Sequence, residues 1–290
     1  MPETDKQTTA TKTAKRKRKD KTPYHAAAFS VFKYLLSDYV KNGDVELSNE
    51  HPLSKEPLKI DIIVLRKNRD VEIKRSWGRI FRTHNLIEYK SPVDSPLSLS
   101  VFNKVIHGYS GIYASQEEIK FTDMTATIVC EKKPTELFNQ LRAEFHCKIL
   151  RKDKGIYYIC QKGMPENKAL AVQIVVYSEL SDDDGLLLKA LQKETDRAMV
   201  KKLETSLPLD DDELAYWWHV MLLLKGETLL KEFDMNRWKS LMEAQIRMGK
   251  IGYHEQQWFD NGIQQGVQQL FDFWASGHTI EEAKKKFAIR

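Results

Sequence analysis

The sequence predicts a mixed α/β domain followed by an all-α segment, and three observations carry that prediction. From Tyr24 to Val40 the apolar residues Ala28, Phe29, Phe32, Leu35, Leu36, Tyr39 and Val40 recur at helical spacing. The runs KIDIIVL and DMTATIVC read as strands, the first rich in β-branched residues and the second alternating. Beyond about residue 180 every segment has helical periodicity.

Taken in order, Pro23 opens the first helix and Asn42-Gly43 ends it. DVELSNEHPL offers a strand within 44–53, and Ile60 to Leu65 a buried one. A charged turn at Lys67 to Asp70 leads through IKRSWGRIF into HNLIEYKSP, residues 84–92, another strand. Residues 97–115 return to helical spacing through Val101, Val105, Ile106, Tyr109, Ile112 and Tyr113. In the strand at 123–132, Met124, Ala126, Ile128 and Cys130 fall on one face. A helix follows at Pro134 to Phe145, where proline suits the first turn. Two strands then flank Asp153-Lys154-Gly155, a hairpin signal, and 169–180 supplies a last strand before an acidic turn at Asp182 to Gly185. Three regions result: a tail at 1–22, an α/β domain at 23–180 and a helical region at 181–290.

The chain has 290 residues and 41% hydrophobic content, enough for a sizeable core. Its net charge of +5 resides in the tail, where eight basic residues (Lys6, Lys12, Lys15, Arg16, Lys17, Arg18, Lys19, Lys21) outnumber Glu3, Asp5 and Asp20. With almost no apolar residues, such a tail cannot collapse by itself. Its run Lys15, Arg16, Lys17, Arg18, Lys19 would attract phosphate polyanions or serve only as a solubilising tail. No apolar run reaches membrane-spanning length and no signal-peptide core precedes the first helix, so the default compartment is the cytoplasm. Cys130, Cys147 and Cys160 lack metal-site spacing and are expected as reduced thiols.

Three charges sit in strands that are otherwise apolar. Asp61 interrupts KIDIIVL, and Glu88 and Lys90, two apart, share one side of their strand while Ile87 and Tyr89 share the other. Were the two strands neighbours, Asp61, Glu88 and Lys90 could converge. Paired carboxylates repel unless a cation lies between them. A hard divalent cation accepts such oxygen ligands and lowers the pKa of a bound water, while a lysine can orient that water or stabilise charge at phosphorus. Set against this, a charged strand often yields E-x-K as an ordinary surface pair.

The order helix, strand, strand with Asp61, strand with Glu88 and Lys90, helix, strand resembles the core of the PD-(D/E)XK nucleases. PLKIDIIVL and GRIFRTHNLIEYKSP are similar to the branch of nuclease-family transposases related to recombination-promoting nucleases. The resemblance covers residues 24–130 and implies a restriction-endonuclease-like fold, a central mixed sheet flanked by helices. It also implies that Asp61 and Glu88 bind Mg²⁺, with Mn²⁺ as substitute, that the Tyr89 carbonyl assists, and that Lys90 is catalytic. Ile60 stands where the family name has proline, and the helix at 24–40 has no glutamate, so Glu46 or Glu50 is the candidate replacement. Tyr109 matches a tyrosine of related nucleases and is a candidate nucleic-acid contact, or else a core aromatic. The 27 positions between Asp61 and Glu88 make IKRSWGRIF an insertion or an extended hairpin arm.

These readings point to a Mg²⁺-dependent DNA endonuclease acting in recombination or mobile-element biology, for which a homodimer would suit cleavage of both strands. The rivals are a catalytically inactive nuclease-fold module that binds DNA or a protein, and a nuclease of RNA. Weaker signals are set aside. His25, His84 and His107 read as structural histidines, and Gly262 and Gly266 as helix-packing positions. The stretch SGHTIEEAKKKFAI, with Thr279 and Glu282 at capping-box spacing, fits either a helix-turn-helix or a terminal helical hairpin.

Overall fold

A computed structural model of the chain describes residues 23–49, 62–163, 169–192 and 197–208, with positions 211, 214, 216–221, 225, 229, 240 and 241. Asp61, Glu50, the basic run at 15–19, Gly262, Gly266 and the 276–289 stretch lie outside the described residues.

The described elements are α1 (Pro23–Leu35), α2 (Ser37–Lys41), β1 (Val45–Asn49), β2 (Ile62–Lys67), β3 (His84–Tyr89), α3 (Leu99–Asn103), a π-helical segment (Lys104–Tyr109), α4 (Ser110–Gln116), β4 (Met124–Cys130), α5 (Thr135–Glu144), β5 (Cys147–Asp153), β6 (Ile156–Gln161), β7 (Ala171–Val176), α6 (Asp182–Ala190) and α7 (Arg197–Ser206). The strands form one mixed sheet in the order β1-β2-β3-β4-β7-β6-β5. β3, β4 and β7 run parallel, whereas β1-β2, β2-β3, β6-β7 and β5-β6 are antiparallel pairs. The three parallel strands sit in the middle, where both faces are covered, and β4 is buried at every position.

Side-chain alternation divides the core in two. One face gathers Ile62, Val64, Leu86, Met124, Ala126, Ile128, Val172 and Ile174 beneath α3, α4 and α5, which contribute Phe102, Tyr113, Leu137, Phe138 and Leu141. The other gathers Ile63, Leu65, Ile87, Tyr89, Val129 and Val175 beneath α1, α6 and α7, with Leu214, Trp217, Trp218, Val220 and Met221. The helical residues after 180 thus share a core with the sheet and with α1. Met124, Ala126, Ile128 and Cys130 do lie on one face, as the alternation predicts.

Elsewhere the structure differs from the sequence expectation. The helix over 24–40 divides at Leu36, which is fully buried, and α2 continues from Ser37. The helix over 97–115 contains the π-helical segment, an extra residue per turn that shifts the face Tyr109 presents. Asp182 to Gly185 is the first turn of α6, not a free turn. Carboxylates there complement the positive end of the helix dipole, and Asp182 pairs with Lys189 at 3.1 Å and with Lys202 of α7. The β5-β6 hairpin turns through Gly155 at φ +70°, where an added Cβ would lie 2.5 Å from the Val176 carbonyl oxygen.

Residues 68–83 between β2 and β3 are an insertion folded onto the sheet, not an extended arm. Ile73, Trp77 and Phe81 are buried, and Trp77 meets Phe32 of α1 edge-on at 5.2 Å. Buried polar side chains of the sheet hold this segment. Gln173 Nε2 donates to the Trp77 carbonyl (2.7 Å) and to Thr127 Oγ1 (2.9 Å), and Thr125 Oγ1 donates to the Ile80 carbonyl (3.1 Å). Asn85 accepts from the Arg82 amide (2.9 Å) and donates to the Arg82 carbonyl (2.7 Å) and the Leu65 carbonyl (3.2 Å). Replacing Gln173, which is fully buried, with leucine should strand two acceptors at once. Gln173→Leu is expected to lower unfolding stability by about 1–3 kcal/mol in urea titration, with the slope unchanged.

Candidate active site

The candidate residues lie at the C-terminal end of β3. Cross-strand partners share a face, and β2 and β3 pair Ile62 with Glu88, Val64 with Leu86 and Arg66 with His84. Glu88 is therefore half-buried on the face of Ile62 and Leu86, level with Ile128 of β4. Placing a carboxylate beside such apolar neighbours is costly, which sets this position apart from a solvated surface glutamate.

Lys90 lies one residue beyond β3. Its amide still donates to the Val129 carbonyl (2.8 Å), so the chain stays joined to β4. The lysine side chain is only 17% exposed, and Nζ lies 3.4 Å from Asp94 Oδ2. The same oxygen accepts from the Ser91 amide (3.2 Å) and stands 4.0 Å from His25 Nε2 of α1. Asp94 thus organises the loop after β3, and sequence reasoning missed it. The signal was present in Lys90 and Asp94 four apart across the Ser-Pro turn. His25, read from sequence as structural, packs edge-on against Tyr89 at 5.8 Å, so its imidazole joins this end of the sheet.

Tyr89 is buried on the opposite face and stacks on Tyr177, ring centroids 6.1 Å apart. Burial, reinforced by Tyr177, pushes its phenol well above the ordinary tyrosine range. Such a phenol stays protonated, so Tyr89 offers the site its backbone carbonyl only.

The β2-β3 register constrains the expected meeting of Asp61 with Glu88. Ile62, not position 61, stands opposite the glutamate, and alternation sends Ile63 and Leu65 to the Tyr89 face. Asp61 itself lies outside the described residues. Glu46 is not brought to Glu88. It pairs with Arg66 in the row of His84, four residues along β2 from Ile62, or about 13 Å. Tyr109 is buried in the core under α3 and α4, its ring 5.0 Å from Lys104 Nζ. That placement makes it the core aromatic of the two readings.

Glu88 offers a carboxylate and the neighbouring Tyr89 a carbonyl, both oxygen donors, and the His25 imidazole stands against Asp94 and Tyr89 at the same end of the sheet. Mg²⁺ is satisfied by one or two carboxylates completed by water, so these donors suit it in kind. Among the described residues, no group of three or more His, Cys, Asp or Glu side chains assembles into a fuller site.

At the other end of β3, His84 Nδ1 lies 3.1 Å from the Tyr113 hydroxyl in a buried setting. Burial lowers the imidazole pKa, Arg66 adds to the effect, and Glu117 and Asp123 oppose it. Comparisons with models of protein families, with curated proteins and with solved structures find no match to this chain. Among the described residues, no helix is long and apolar enough to cross a membrane.

His84 gives the fold a defined acid sensitivity. The unfolded chain takes up a proton near pH 6.5 that the folded imidazole resists, so stability is full above that pH and is lost as pH falls toward the lowered folded value. His84→Asn, lacking this proton uptake, should melt below wild type at pH 7.5, and the gap should narrow toward pH 5 in thermal unfolding.

Proposed function

We propose that the chain is a metal-dependent DNA endonuclease whose site comprises Asp61, Glu88 and Lys90. The observation that carries the reading is positional. Glu88 and Lys90 lie at the C-terminal end of β3, in a sheet whose element order is helix, strand, strand, strand, helix, strand, and Glu88 stands opposite the residue that follows Asp61 in sequence. A half-buried carboxylate at a strand end is an oxygen donor of the kind a divalent cation takes.

In this reading Glu88 and Asp61 would hold Mg²⁺, or Mn²⁺ in its place, with the Tyr89 carbonyl as a further oxygen donor. The bound cation supplies Lewis acidity toward phosphate and a more acidic water. Lys90 orients the attacking water and balances charge developing at phosphorus. Asp94 holds the lysine amine beside the strand until an anion approaches. The basic tail adds sequence-independent attraction to the phosphate backbone. A role in recombination or mobile-element biology, and a dimer that cuts both strands, extend the same reading. The Lys90–Asp94 ion pair favours a second reading, an inactive nuclease-fold module, because a lysine kept by a carboxylate also serves as plain structure.

Supercoiled plasmid distinguishes the two. Wild type should nick it with Mg²⁺ or Mn²⁺ and stop on addition of EDTA. Asp61→Ala, Glu88→Ala and Lys90→Ala should each be slower by at least about 100-fold. Nicking that survives all three substitutions overturns the site, and gel-shift binding without any nicking establishes the module. Removing residues 1–22 should flatten the dependence of log affinity on log salt by about 0.9 for each phosphate that the tail neutralises, read by gel-shift titration. An unchanged slope would make the tail a solubilising segment.

A further inference from the structure

At the end of the sheet away from Glu88, the starts of β4 and β7 and the finish of β6 border a cavity of about 460 Å³. That volume lies within the range of about 300–1,000 Å³ typical of small-molecule sites. Leu141 of α5, Ile159 of β6 and Val172 of β7 supply apolar wall, and Phe102 and Ile106 add to it from the stretch where α3 passes into the π-helical segment. Such a local widening of a helix is frequent at functional sites. Phe121 and Phe145 line the cavity too, yet are 46% and 43% exposed, so two aromatic rings stay in water beside an apolar recess. Covering them would be favourable.

The electrostatics of the lining decide what kind of molecule fits. Among the described residues no aspartate or glutamate lines the cavity, so nothing there would replace the water around a cation. An anion gains little from Arg82. Its Nη1 donates to the carbonyls of Ala169 (2.5 Å), Phe121 (3.3 Å) and Met124 (3.4 Å), burial works against its charged form, and Asp123 supports that form. The guanidinium is thus occupied within the protein. His107 reaches the cavity from an exposed position, where water and salt screen it. The amides of Asn103 and Gln161 also line the cavity, and each can donate and accept a hydrogen bond. Such groups suit an uncharged hydroxyl or amide.

We propose that this cavity binds an uncharged, mainly apolar small molecule carrying one hydrogen-bonding group, its body against Phe102, Ile106 and Val172 and its polar end toward Asn103 and Gln161. The site is separate from the Glu88 end of the sheet, so it does not rest on the nuclease reading.

Calorimetric titration of the full chain at pH 8 with 1-octanol, octanoate and octylamine tests the proposal. The alcohol should bind at one site per chain and at least about tenfold more tightly than either charged analogue, which must shed hydration without gaining a partner. Phe121→Ala combined with Phe145→Ala removes two exposed rings, and circular dichroism should show the fold unchanged. The pair should weaken the alcohol by at least about fivefold. Absence of octanol binding, as when another segment of this chain fills the cavity, would overturn the proposal. So would a charged analogue bound within that tenfold margin, or a loss short of fivefold in the double variant.

Discussion

The position of β3 depends on a buried polar row running across the central strands. Asn85, Thr125, Thr127 and Gln173 are each at most 1% exposed, on a face that is otherwise aliphatic and aromatic. A buried amide or hydroxyl without a partner costs about 1–3 kcal/mol, so such a row is tolerable only if its hydrogen bonds are made. Most are made, to the backbone of the 68–83 insertion and to the Leu65 carbonyl of β2, while Gln173 Oε1 finds no partner among the described residues. Sliding β3 by one residue would turn Asn85 off this face and break its bonds to Arg82 and to the Leu65 carbonyl of β2. The register that sets Glu88 opposite Ile62 is therefore held from the opposite end of the strand, where Asn85 is its second residue.

Fixing β3 in this way gives its two ends different chemistry. At the C-terminal end the chain leaves the sheet through Lys90 and the Asp94 loop, next to the β4-α5 connection and close to the start of α1. Charged groups there gather around a partly apolar rim: Glu88 half-buried, Lys90 beside Asp94, and His25 behind it. At the N-terminal end His84 is buried against Tyr113, and Arg82 is spread over three carbonyls beside an apolar cleft.

Much of this was legible in the sequence because the governing interactions are local. Alternation in MTATIVC gave β4 its faces, Asp153-Lys154-Gly155 gave the hairpin, and the helix over 134–145 followed from proline and apolar spacing. What escaped depends on partners distant in sequence. Leu36 breaks the first helix where it enters the core, and Trp77 converts a polar-looking insertion into a buried one through partners near 32, 173 and 184. The acidic stretch at 182–184 looked like a turn because its helix-starting role rests on Lys189 and Lys202. For the site, the structure sets Glu88 on the Ile62 and Leu86 face of β3 and puts Lys90 one residue beyond the strand, beside Asp94. The pairing of β2 with β3 sets Ile62 opposite Glu88. Pattern alone could not reveal this, because the register between β2 and β3 is set by Asn85 and its partners.

The Lys90–Asp94 pair is the interaction on which the active and inactive readings divide, and its magnitude determines how far it can argue for either. Asp94 is 34% exposed and Lys90 17%, so water and salt screen the pair, and such pairs contribute about 0–1 kcal/mol. A charge-assisted hydrogen bond from the same ammonium to a phosphate oxygen contributes about 1.5–3 kcal/mol once the surroundings are closed to water. Under the proposed nuclease reading a phosphate would therefore outcompete the aspartate, and the aspartate's bond from the Ser91 amide would keep the loop in place once the lysine moved. Asp94 would then hold the lysine near the strand end, reducing the conformational entropy surrendered when an anion arrives. A pair of this strength is compatible with catalysis and does not require it, which is why the chemistry rests on Asp61, Glu88 and the cation they would share.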